Sequence, residues 1–137
     1  MYYHYHLLCS CIESRLGRPI TPEELTPTEE TRQQNRKQYG DFGASLVTRL
    51  ASMGLGAEYM SHAVNEVVIE MGEPDVAEAY RKINRDEAFH VQIGKVGLER
   101  YALTREDQTR AWEAAMETAK LHVVAYEALF NRARAAA

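Results

Sequence analysis

Apolar positions recur along this chain at helical spacing. From Val76 to Tyr101, positions 76, 80, 83, 87, 90, 94, 97 and 101 alternate steps of four and three. That spacing keeps one face of a helix turned toward a neighbour. Upstream, Leu46, Leu50, Met53, Ala57, Met60, Val64, Val67, Val68 and Met71 form a second stripe. Beside it runs an uncharged band of Val47, Ala51, Gly54, Ser61 and Asn65, interrupted by Glu58. Trp112, Ala115, Met116, Ala119, Val123, Tyr126 and Phe130 make a third stripe, and Leu7, Leu8, Cys11, Ile12 and Leu16 a shorter one. No strand-type alternation and no internal repeat stands out. The pattern predicts an all-α chain with helices over about 2–16, 27–38, 42–71, 74–102 and 105–134, and a loop over 18–26.

The breaks between stripes carry their own chemistry. Gly17 and Pro19 end the first helix, and Thr26-Pro27-Thr28-Glu29 reads as a capping box with proline at the first helical position. The polar helix that follows, rich in Arg, Gln and Asn, is expected to be solvated or to pack through Tyr39 alone. Gly54 and Gly56 are expected to loosen or bend the long helix just before Glu58. Gly72 and Pro74 close one helix and open the next, and so short a connection predicts antiparallel neighbours. Thr104 caps the last helix, with Asp107 in capping-box position.

Bulk properties narrow the function classes. At 137 residues the chain suits one helical domain, residues 1–137, with a real core. A formal net charge of -4 with scattered Lys and Arg argues against nucleic acid. No apolar run reaches membrane-span length, and no signal-peptide pattern opens the chain. Cys9 and Cys11, a Cys-x-Cys pair on a helix, point to free thiols in a reducing compartment, so a cytoplasmic location is expected.

One stripe holds residues that an ordinary core does not. Glu87 and His90 stand where Leu or Val would be usual. Burying an unpaired carboxylate costs several kcal/mol. A metal ion compensates it and also accounts for a histidine one turn later; a buried ion pair with Arg85 or Lys95 is the plainer alternative. Glu58 lies fifteen residues before the turn at 73 and Glu87 fourteen after it, so antiparallel helices place the two at one level. Asp86 suits a hydrogen-bond acceptor behind a ligand, or an outward salt bridge, and His62 either a ligand or a hydrogen-bond partner of one. His122 reads as a satisfied core histidine, and His4 and His6, alone, as part of an aromatic cluster. Tyr59, Tyr80 and Tyr101 fit core packing as well as redox chemistry.

The run Asp86-Glu87-Ala88-Phe89-His90-Val91-Gln92-Ile93-Gly94-Lys95-Val96-Gly97-Leu98, with Glu58 before it, resembles the ferritin-like di-iron carboxylate superfamily over roughly residues 44 to 130. It is most similar to the oxidase branch that includes aldehyde-deformylating oxygenases and the radical-generating ribonucleotide reductase subunit. The resemblance implies a ferritin-like antiparallel helical bundle lacking the first family helix. It implies two irons, or manganese, held by Glu58, Glu87 and His90. The distance from His4 to Leu16-Gly17 further implies that His4 is the histidine of the first Glu-x-x-His motif, with Met1 in place of its glutamate.

Three functions follow as expectations. The first is a dioxygen-activating oxidase or oxygenase, or the C-terminal part of one, acting on a small-molecule or acyl-type substrate. An apolar channel of Met53, Met60, Val64 and Phe89 would suit a greasy one, although core packing explains those residues equally well. The second is a ferroxidase or iron-storage protein with its site shared across a homodimer. The third is a helical interaction protein without metal.

Overall fold

The computed structural model describes residues 2–136. It is a helical bundle, and no strand occurs among those residues. The helices are α1 (Tyr2–Leu16), α2 (Glu29–Arg36), α3 (Leu46–Leu50), α4 (Glu58–Met71), α5 (Pro74–Tyr101) and α6 (Arg105–Ala136). A wide, π-type turn, Lys37–Asp41, extends α2. A second one, Ala51–Ala57, joins α3 to α4, so 46–71 is one rod with a widened middle at Gly54 and Gly56.

The caps follow from side-chain chemistry, with two shifts from the expected boundaries. Thr104 accepts from Asp107 N–H at 3.0 Å and opens α6. The cap of α2 is Thr28, accepting from Thr31 N–H at 3.2 Å, so Pro27 precedes the cap instead of starting the helix. The long rod starts at Leu46, not at 42, because Ser45 is extended (φ −119°) and Phe42–Ala44 forms a separate tight turn.

The core is built from small residues. Ala51, Ser52 and Thr118 are fully enclosed, and Ala77, Ala79, Ala111, Ala114 and Ala125 are buried with them. Backbones therefore approach closely. A β-carbon added at Gly54 would stand 2.6 Å from Gly94 Cα, and one at Gly56 would stand 2.7 Å from Ala115 O. Only glycine permits such contacts. Leu50 in turn fills the space above Gly97. These pairs, 50 with 97 and 54 with 94, run the rod 46–71 antiparallel to α5.

Close packing selects different faces from those the large apolar residues suggest. On α6 the buried line is Ala111, Ala114, Thr118, His122 and Ala125, whereas Trp112, Met116, Val123 and Phe130 are exposed. On the rod 46–71 the uncharged band through Ala51, Gly54 and Asn65 is buried, while Leu46, Val67 and Met71 of the main stripe face outward. Nor is α2 merely solvated: Gln34 and Gln38 are buried and Tyr39 is exposed.

Candidate metal centre

Three elements bring carboxylate and imidazole side chains to one level of the bundle. Glu58 is the first residue of α4, Glu87 and His90 lie one turn apart on α5, and His4 lies in the first turn of α1. One ligand atom from each of Glu58, Glu87 and His90 falls within 4.8 Å of the others. His90 Nδ1 stands 3.5 Å from Glu58 Oε1, and His4 Nδ1 stands 3.5 Å from Glu87 Oε1. The two imidazole centroids are 6.4 Å apart.

Asp86 sits behind His4. His4 Nε2 and Asp86 Oδ2 are 2.9 Å apart. An ionised carboxylate only accepts, so Nε2 carries a proton and donates it, and Nδ1 faces Glu87. That hydrogen bond is the main cause holding the Asp86 carboxyl below its ordinary value of 3.8. A carboxylate behind an imidazole fixes the tautomer and the ring plane, as in many metal sites.

Burial is the leading effect on Glu58 and pushes its carboxyl above 4.5, against the opposing pull of His90 and His4. Glu87 is 8% exposed. Two carboxylates and two imidazoles therefore meet at one level of the bundle. This donor set, oxygen and imidazole nitrogen converging on one point, fits a divalent transition metal.

The cluster lies at the end of a cleft of about 480 Å³ walled by Leu46, Leu50, Met53, Ile93 and the Gly54–Gly94 contact, with Arg49 also in its lining. Of the four residues expected to form an apolar channel, only Met53 lines it; Met60, Val64 and Phe89 do not, and Phe89 is 65% exposed. His62 is outside the cluster: its Nδ1 pairs with Asn84 Oδ1, in a network that includes Asn65 and Glu66. None of Tyr59, Tyr80 and Tyr101 lines the cleft. Lys95 lies over the Tyr59 ring at 5.4 Å, and burial raises the Tyr80 hydroxyl above 10.0. His6 meets Tyr5 edge-on at 5.6 Å. Met1, the position matched to a family glutamate, lies outside the described residues.

The expected loosening at Gly54 and Gly56 is present as the wide turn before Glu58, whereas sequence spacing did not reveal its π-type form or the small-residue floor of the cleft. The signal was present as alternating small residues in Ala51-Ser52-Met53-Gly54-Leu55-Gly56-Ala57. Comparison with known proteins finds no matching family model, no matching curated protein and no matching solved structure.

Proposed function

We propose that this chain is a metal-dependent oxidoreductase of the ferritin-like kind, with a carboxylate–histidine centre at Glu58, Glu87, His90 and His4. The observation that carries this reading is the convergence of two enclosed carboxylates and two imidazoles at the end of an apolar cleft. Iron is the favoured metal, as two ions that Glu58, Glu87, His90 and His4 would hold, and manganese is the alternative occupant. Bound iron would supply dioxygen activation and one-electron redox chemistry.

The chain's own residues set the conditions for that chemistry. Glu58 and Glu87 provide hard oxygen donors from facing helices. Asp86 keeps the His4 proton on Nε2, so Nδ1 stays available as a donor atom. Leu46, Leu50, Met53 and Ile93 line the cleft and would accept the apolar part of a small-molecule or acyl-type substrate.

A second reading, a ferroxidase or iron-storage homodimer, draws on another observation. Phe89, Ile93 and Val96 form an exposed apolar stripe on α5, and exposed Leu46 lines the same cleft as Ile93. Covering that stripe with a second copy would bring further donors to the open side, where the His90 side chain is 40% exposed.

Metal analysis of the purified protein, with its mass in solution, tests both readings. Close to two irons per bundle is expected of the oxidase. The same stoichiometry in an obligate dimer favours the storage protein. Metal-free protein after growth and reconstitution with iron or manganese would leave a helical interaction protein.

A further inference from the structure

The rod 46–71 departs from α-geometry over Ala51–Ala57, and that departure ends at a candidate ligand. The Glu58 N–H donates to Met53 O, five residues back, where an α-helix would use Gly54 O. In an α-helix, positions four apart drift round the axis by about 40° per step. The wide turn, with more residues per turn, turns that drift back. Leu50, Gly54 and Glu58 consequently face α5 in one line, against Gly97, Gly94 and His90.

Wide turns of this type are rare and need outside support. Here it comes from α6. Ser52 and Thr118 are both fully buried, and their hydroxyl oxygens are 2.7 Å apart. Gly56 rests on the same threonine: an added β-carbon would lie 2.7 Å from Thr118 Cβ. In this pair one hydroxyl donates and the other accepts, and losing either leaves its buried partner without that bond.

We infer that the Ser52–Thr118 hydrogen bond latches the wide turn in register and thereby aims Glu58 at the cluster, making Ser52 and Thr118 positioning residues of the site. The consequence for the site rests on the metal-binding function proposed above; the register itself needs no metal.

Two measurements on the full chain test the latch. The first is the through-hydrogen-bond NMR coupling from Glu58 N, which in the wild type should run to Met53 C′. In Ser52→Ala and in Thr118→Val it should move to Gly54 C′, while Thr118→Ser, which keeps the hydroxyl, should preserve it. The second is titration with Co(II) alone, followed by its ligand-field absorption. Ser52→Ala and Thr118→Val should bind roughly 10–100-fold more weakly with altered bands, and Thr118→Ser should retain the wild-type spectrum. Should one variant fail to fold, the other makes the same test from the opposite helix.

Retention of the Met53 coupling and of wild-type Co(II) binding in both variants overturns the latch. So does an equal spectral change in Gln34→Leu, which loosens the α2–α6 contact without touching the wide turn. If the wild type takes up no Co(II) but the coupling moves as stated, the latch stands and the metal-binding function falls.

Discussion

His90 and His122 both lie on long helices that face into the bundle, yet their surroundings are opposite in kind. His90 points Nδ1 at Glu58 from 3.5 Å, in a cluster with Glu87 and His4 at the end of a cleft. His122 is buried, and neutral groups engage both of its nitrogens. The Gln34 amide stands 3.0 Å from Nε2 and Thr118 O stands 3.3 Å from Nδ1. If Nδ1 donates to the carbonyl, Nε2 accepts from the amide, and one tautomer satisfies every atom. Nothing at His122 asks for a further partner. At His90 two carboxylates and a second imidazole converge, with Arg49 in the lining of the same cleft. A buried imidazole with satisfied neutral partners is architecture, whereas carboxylates and imidazoles converging from several helices form a candidate ligand set.

The largest effect that would separate the two regions is on metal content. Glu87→Ala should abolish stoichiometric iron or manganese while leaving the helical circular dichroism intact. His122→Phe should lower the melting temperature and leave metal content unchanged. Retained metal in the first variant, or lost metal in the second, would reverse the contrast. Asp86→Asn comes next. It keeps the shape but weakens the acceptor behind His4, and a roughly 10–100-fold loss of metal affinity is expected in a direct titration.

Gly94→Ala probes the packing that holds the two ligand helices together. Its β-carbon would stand 2.8 Å from Gly54 Cα, so α5 must move off the wide turn. Overpacking of this kind costs about 1–3 kcal/mol, to be read from the urea unfolding midpoint. An unchanged midpoint would mean that the glycine contact is not a constraint.

The smallest effect concerns pH. Burial holds His122 below its ordinary value of 6.5, against the opposing pull of Thr118 O. The unfolded chain therefore binds a proton that the folded chain refuses. The stability contributed by neutral His122 is complete above 6.5 and is lost as pH falls from there toward the lower folded value. His122→Phe should lose less stability than the wild type over that interval; parallel pH profiles for the two proteins would show that His122 is not the source.

Much of the site was legible as spacing. Glu87 and His90 share a face because three residues nearly complete a turn, and the Gly72–Pro74 break puts Glu58 opposite them. A loosening at Gly54 and Gly56 was legible from the glycines, but its form was not, because Ala51, Ser52 and Gly54 fit an ordinary helix as well as a wide turn. Nor could spacing show Asp86 beneath His4, a pairing between residues 82 positions apart.

By itself the sequence determined that the chain is helical, where its main breaks lie and which carboxylates share a level, because caps, prolines and periodicity act within one or two turns. On α5 the predicted stripe through Ile83, Glu87 and Gly94 is the buried one, but tertiary structure alone decided which faces of α6 and of the rod 46–71 are inside. The stripe of Trp112, Met116 and Phe130 lost to the neighbouring line of Ala111, Ala114 and Thr118. Small residues let backbones approach where large ones would hold them apart, and only the partner helix reveals which approach is made.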